Sequence, residues 1–337
     1  MHLTALVQGV DHVCCRYRIS AFRPFLEQAG HQLTIEVLPK NWWQRVQSFT
    51  RLRQTEVVIL QRKLMHLWQL YLLRRVSPLL VFDFDDAIFL RNSYSAKGML
   101  SRARMHRFGA AIRAADAVVA GNAFLREQVW SRQPDARAHL IATCVDVSAY
   151  PKALHWRTGP GVQMVWIGSA STLRGMELSR PLMEEIGHRS RGIRLKLICD
   201  RFLHFCHLAV TNCRWSQATE AAELSACDIG VSWIPDDLWS RGKCGLKCLQ
   251  YMAAGLPVVA NPVGVQADMV QHGVTGFLAE TPAQWSEAVN LLANNPQLRQ
   301  QMGEAGRERV EKSFSVAWGA ARWLGLLDEL RCRRRTA

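Results

Sequence analysis

WSRGKCGLKCLQYMAAGLPVVANPVGVQADMVQHGVTGFL (Trp239–Leu278) sets a glycine-and-lysine turn, a helix and a short apolar strand in immediate succession. Gly242 and Gly245 let the backbone approach a ligand closely, and Lys243 and Lys247 bring positive charge. A helical run around Lys247–Ala254 follows, and the first amides of a helix have no partner within it. Glycine turn, cation and helix start together suit an anion such as a diphosphate. The same residues also read as a Gly-rich turn with solvated lysines. Behind the helix comes the strand LPVVA (Leu256–Ala260).

Upstream lie the apolar strands VQMVWIG (Val162–Gly168), IRLKLIC (Ile193–Cys199) and DIGVSWI (Asp228–Ile234), with a helix near Thr219–Ala226. Downstream, Pro282–Arg335 is nearly all helical. The first half repeats the alternation. Its strands are Leu3–Gly9, Leu33–Leu38, Val57–Leu60, Leu79–Phe84 and Ala117–Gly121, and its helices Arg16–Gly30, Trp42–Arg53 and Lys63–Arg75. Continuous apolar strands alternating with helices predict α/β architecture with parallel sheets covered on both faces. Ala149–Gly161, rich in Pro and Gly, is the linker candidate. The expected domains are 1–155 and 156–314, two doubly wound units facing across a cleft, with ligand at the carboxyl ends of the strands. Residues 315–337 form an amphipathic last helix and a basic tail.

The 337 residues are 49% hydrophobic and 21% charged, enough for a large core, and the net charge of +14 favours polyanionic partners. Met1–Val10 runs into an apolar stretch without a basic leader or cleavage site, so no signal peptide is expected. No apolar run reaches the roughly 18 residues of a membrane span. The ten cysteines lack metal-type spacing and read as reduced thiols in a cytoplasmic protein. His204, Cys206 and His207 read as a turn rather than a zinc site, because no second ligand pair is near.

QYMAAGLPVVANPVGVQADMVQHGVTGFLAE (Gln250–Glu280) resembles the donor-binding signature of glycosyltransferase family 4, the retaining "group 1" family. WIGSASTLRGM (Trp166–Met176) is similar to the first strand and phosphate loop of that family's second domain. FDFDDAIF (Phe82–Phe89), ADAVVAGNAFLREQV (Ala115–Val129), TCVDVSAYP (Thr143–Pro151) and CCRYRISAFRPFLEQAGH (Cys14–His31) resemble segments of a subgroup with a DxDDAIF strand end. The resemblance implies a GT-B fold of two Rossmann-like domains, acceptor domain first and donor domain second, with the C-terminal helix crossing back to the first. It also implies transfer of a hexose-type sugar from a nucleotide diphosphate to a glycan or lipid-linked acceptor in polysaccharide biosynthesis. Retention, no metal and no cofactor beyond the nucleotide-sugar co-substrate are expected with it. Peripheral contact with an anionic membrane at its cytoplasmic face is expected from the residues instead, from the net charge, Trp42 and Trp43 and the basic tail Arg331–Arg335. The chain departs from the signature in two places. Gly242 and Gln250 stand at the two glutamates of the family's E-x7-E pattern, and Ser169 stands near the usual phosphate-gripping arginine, with Arg174 a turn along.

The resemblance implies a donor set of Gly168, Ser169, Arg174, Lys243, Gly245, Leu246, Lys247 and Gln250, with Arg174 and Lys243 also stabilising the leaving phosphate. Asp85 and Asp86, at the end of a first-domain strand, are the other catalytic candidates; they orient hydroxyls or act as base, or one of them caps the next helix. Asp83 and Asp85 have the spacing of a DxD metal site, against which the family resemblance argues. Arg16 and Arg18 hold an acceptor phosphate or form a solvated basic face, and Asn122 is an acceptor ligand or a helix cap. Trp42 and Trp43 beside Arg45, Arg51 and Arg53 suggest a membrane-facing patch or ordinary helix packing. Two alternatives stand beside transfer: a degenerate sugar-nucleotide-binding protein and a sugar-nucleotide epimerase. A nucleic-acid-binding protein is the remote one, since no binding module is visible and no specific nucleic-acid partner is expected.

Overall fold

The computed structural model describes residues 1–156 and 161–336, with side chains described to Arg333. Residues 157–160, part of the linker candidate Ala149–Gly161, lie outside the described residues. The chain forms two units. The first comprises Met1–Cys144, Asp237–Cys244 and the chain from Val316 onward; the second comprises Val145–Asp236 and Gly245–Ser315. The chain thus leaves the first unit before residue 155, and it returns an eight-residue piece, 237–244, from within the expected second domain.

The first unit holds six parallel strands: β1 (His2–Val7), β2 (Gln32–Val37), β3 (Val57–Gln61), β4 (Leu79–Phe84), β5 (Ala117–Ala120) and β6 (Ala138–Leu140), in spatial order β2-β1-β3-β4-β5-β6. Alternate side chains divide between two cores, as the period of a strand requires. Val58, Leu60, Leu80, Phe82, Val118 and Ala120 face the helices Trp42–Ser48, Leu67–Val76 and Arg102–Ala114. Ala5, Val57, Ile59, Val81 and Val119 face the other core, which the last helix, Val316–Thr336, closes with Trp323, Leu326 and Leu327.

The second unit holds β7 (Val162–Ile167), β8 (Ile193–Cys199), β9 (Ala209–Arg214), β10 (Ile229–Ser232), β11 (Val258–Ala260) and β12 (Gly276–Leu278), all parallel, ordered β12-β11-β10-β7-β8-β9. Counted within the unit, this is the nucleotide-binding order 3-2-1-4-5-6, whose switch point falls between β7 and β10.

Some local expectations fail for identifiable reasons. The helix expected over Arg16–Gly30 breaks into Val13–Arg18, a 3-10 turn Ser20–Phe22, and Arg23–Gln28. Pro24 removes an amide and restarts the helix in its own first turn. Trp42–Arg53 becomes a helix to Ser48 and a 3-10 segment Phe49–Gln54. β6, β9 and β12 carry little apolar signal: β9 is an edge strand with mostly exposed side chains, and β12 has three residues. Among the described residues no helix is long and apolar enough to cross a membrane.

Candidate functional site

In the first unit the chemistry gathers at the carboxyl ends of β1, β3 and β4. Asp83, still inside β4, is fully buried, and Arg18 reaches it from the helix Val13–Arg18. Arg18 Nε lies 3.1 and 3.2 Å from the two carboxylate oxygens, and its Nη1 donates to Ile141 O at 2.9 Å. Burial pulls the guanidinium pKa down, but the Asp83 charge outweighs it and holds Arg18 ionised. Arg18 is 1% exposed, so its guanidinium is not available to an acceptor phosphate and the expected binding role is corrected to a structural one. Asp83 is likewise committed, which removes it from a DxD metal pair. Arg16 is half-buried with its guanidinium 5.2 Å from the Tyr17 ring centroid.

Asp85 and Asp86 follow β4 directly. Arg62 follows β3 and bridges them, with Nη1 2.9 Å from Asp85 Oδ1 and Nη2 3.0 Å from Asp86 Oδ2. Lys243 Nζ adds a second cation 3.1 Å from Asp86 Oδ2, and the Ala87 amide donates to Asp86 Oδ1 at 3.0 Å. Both oxygens of Asp86 are therefore engaged. Burial raises the Asp85 carboxyl, but Arg62, then Arg18, Cys14 and Lys243, outweigh it and hold Asp85 below the ordinary carboxylate range. Cys14 contacts Arg62, and burial followed by the Asp85 charge pushes its thiol well up, so it stays protonated. Arg62 is the one non-glycine residue at positive φ (55°) among the described residues. Strain of this kind persists where surroundings fix it, commonly at functional sites.

The returning piece 237–244 is clasped here. Asn122 Oδ1 caps the helix Ala123–Trp130 by accepting from Leu125 N at 2.7 Å, and its Nδ2 donates to the Arg241 and Lys243 carbonyls at 3.2 and 2.9 Å. With both ends of its amide engaged and 4% exposure, Asn122 is a cap and clasp rather than an acceptor ligand. A Cβ on Gly242 would stand 2.7 Å from Ala87 Cβ and 2.8 Å from Ala87 N, so the position that carries a glutamate in the family signature has room here only for glycine. Lys243 Nζ also lies 3.4 Å from the Trp239 ring centroid.

In the second unit the helix Leu246–Ala253 opens behind Gly245, whose left-handed φ of 66° suits glycine, and no side-chain cap covers its start. Lys247, in the first turn, lies 4.9 Å from the centroid of Trp166 on β7, which ties the helix start to the switch point. The helix Ala170–Leu178, after Gly168, starts differently. Ser169 and Thr172 form a capping box, and Asp200 Oδ1 accepts from Ala170 N at 2.7 Å. One helix start therefore meets a carboxylate of the chain itself, while the other presents uncapped amides beside a lysine. Arg174 is exposed in the second turn of Ala170–Leu178. Gln250 is 4% exposed and donates to Tyr150 Oη at 3.2 Å.

Lys243 and Lys247, paired in the sequence reading, thus belong to different units. Sequence reasoning missed Arg62, Cys14, Trp166 and Asp200; the position of Arg62 two residues after the apolar run VVIL was the available signal. Among the described residues no group of three or more His, Cys, Asp or Glu side chains is placed to hold a metal ion.

Residues 238–309 match the family model of Glycosyl transferases group 1. Alpha-maltose-1-phosphate synthase of Mycolicibacterium smegmatis is 26% identical over 246 residues, 61% of this chain and 61% of that protein. The chain spans about three fifths of the length of this curated relative. Sucrose-phosphate synthase from Thermosynechococcus elongatus superposes with a TM-score of 0.78 at 15% identity over 99% of this chain and all of that one. Anabaena HepE in complex with UDP and glucose superposes at 0.69, with 15% identity over 98% of this chain and all of the other. The fold is GT-B.

Proposed function

We propose that this chain, with the GT-B fold and a Glycosyl transferases group 1 segment over residues 238–309, is a glycosyltransferase using a nucleotide-diphosphate sugar. The observation that carries the reading is the uncapped start of Leu246–Ala253, with Lys247 held against Trp166 at the switch point of a nucleotide-binding sheet, inside the matched segment. Breaking a glycosyl–diphosphate bond builds negative charge on the leaving phosphate. Lys247, the amides after Gly245 and the helix dipole stabilise that charge, with Arg174 as a further cation. The UDP and glucose of the HepE complex illustrate such a donor on this fold.

In the first unit, Asp85 is the carboxylate for an acceptor or donor-sugar hydroxyl, and Arg62 keeps it ionised. The acceptor oxygen bonds to the anomeric carbon as the bond to phosphate breaks, and the departing phosphate takes up the hydroxyl proton, so neither a protein nucleophile nor a metal is required. A hexose-type donor, retention of configuration and a glycan or lipid-linked acceptor complete the proposal. The absent glutamate at Gly242 favours one second reading, a protein that binds sugar nucleotide without turnover.

A thermal-shift screen against UDP-, GDP-, ADP- and dTDP-sugars, followed by a nucleotide-release assay and NMR of the product anomer, tests both readings. Stabilisation by one donor class with turnover is expected. Stabilisation without release selects the binding protein, and no stabilisation by any donor refutes the proposal.

A further inference from the structure

The second unit carries a buried polar knot that the reaction proposed above does not use. Ser232 ends β10, Asn261 follows β11 directly, and Gln266 lies in the helix Val265–Met269. The three are 3%, 7% and 2% exposed. Asn261 takes both backbone groups of Ile234: its Oδ1 accepts from Ile234 N at 3.0 Å, and its Nδ2 donates to Ile234 O at 2.7 Å. Gln266 Nε2 donates to Asn261 O and Oδ1, each at 3.0 Å, and Gln266 Oε1 accepts from Ser232 Oγ. Every polar side-chain atom of the three thus has a partner. An apolar set of the same shape would hold the fold about as well, because a satisfied internal hydrogen bond adds little net stability. What a fully paired buried network adds is a unique position for its members.

Two pieces of the donor edge are fixed in this way. The first is the loop 233–236 after β10, gripped through the Ile234 backbone. β10 borders the switch point, so this loop lines the crevice at the carboxyl ends of the strands. The second is the start of Leu246–Ala253. Cys248, in its first turn, has Sγ 3.9 Å from Gln266 Oε1, and a Cβ on Gly245 would collide with Met269 Sδ of the helix that carries Gln266. Gln266 therefore sets the loop and the helix start at one spacing. A diphosphate needs only the helix start. The nucleoside joined to it extends beyond those amides and needs a second wall, and loop 233–236 is the wall whose place is set relative to them.

We propose that Asn261 and Gln266 are positioning residues of the donor site, holding loop 233–236 as the wall against which the nucleoside is selected. The proposal rests on the donor reading above. Calorimetry on the full chain with UDP, GDP, ADP, dTDP and inorganic pyrophosphate tests it. Ser232→Ala/Gln266→Leu replaces both ends of one hydrogen bond by apolar groups, and Asn261→Ala is the second variant should the first lose its fold by circular dichroism. The preferred nucleoside diphosphate should bind each variant about tenfold more weakly, because a freed loop must be ordered on binding. Its preference over the other bases should narrow, while pyrophosphate affinity stays within about twofold of wild type. Amide exchange at Ile234 should speed up in Asn261→Ala. An equal loss for pyrophosphate and nucleotides, or unfolding of both variants, makes the knot a prop of the fold alone and overturns the proposal. Wild-type nucleotide affinity and preference in the folded variants overturn it too, and leave the donor reading standing. A wild type that binds neither nucleotide nor pyrophosphate removes the donor reading, and the nucleoside wall with it.

Discussion

Replacing Arg18 by methionine separates a buried structural pair from a phosphate-holding residue. The substitution keeps the length and packing of the side chain but removes the partner of a fully buried carboxylate. Breaking a buried ion pair from one side costs about 3–5 kcal/mol, because the remaining charge is left without compensation. At roughly 2–4 °C per kcal/mol for a unit of this size, the first unit's transition should fall by on the order of 10 °C. The sign with pH follows from Asp83. Burial raises its carboxyl and Arg18 opposes that rise, so without Arg18 the folded pKa lies further above the unfolded value of about 3.9. A group raised on folding contributes its stability below the unfolded pKa and loses it as pH rises through the folded one. The variant should therefore lose most stability toward neutral pH. Urea titrations followed by circular dichroism at several pH values measure this. Arg18→Met/Asp83→Leu, with the pair replaced by apolar groups, should recover most of the loss. If Arg18→Met melts within about 1 kcal/mol of wild type while its acceptor KM rises, the buried-pair account fails and the phosphate role returns.

Arg62→Gln removes the main influence that depresses the Asp85 carboxyl, so the acid limb of the pH–rate profile should move to higher pH; an unmoved limb counts against Asp85 as the carboxylate that holds the hydroxyl. In the wild type, the stability contributed by this depressed carboxyl is present above its unfolded pKa and lost as pH falls through the folded one. Lys247→Ala should weaken UDP or GDP binding by about 1–3 kcal/mol in calorimetry, and equal affinity would remove Leu246–Ala253 from the donor site. Gly242→Glu places a carboxylate where its Cβ meets Ala87, so it should destabilise the fold by about 1–3 kcal/mol without raising turnover. A stable variant with faster turnover would show that the backbone there yields easily.

Strands that are apolar on both faces were legible because burial on two sides leaves no polar alternation to mask them; Val57–Gln61 and Leu79–Phe84 fall almost where the residues put them. β9 was not legible, because an edge strand with exposed side chains resembles a loop in composition. At the site, Gly245 and Lys247 could be read because a glycine turn, a cation and a helix start are consecutive in the chain. The bridge from Arg62 to Asp85 and Asp86 joins residues brought together by neighbouring strands, and a backbone angle of 55° has no signature in an arginine. Arg18 looked like surface charge because its partner, Asp83, stands 65 positions away.

The helix Val316–Thr336 closes a core whose other walls are β1, β3, β4 and β5. During synthesis those strands leave the ribosome well before their cover, with the second unit's Val145–Asp236 and Gly245–Ser315 between. The first unit therefore cannot finish folding ahead of the second; its Leu3, Val57 and Ile59 face stays open until that helix is made. A nascent chain halted before Val316 should be cut by protease within the first unit, and only one that includes the helix Val316–Thr336 should be protected.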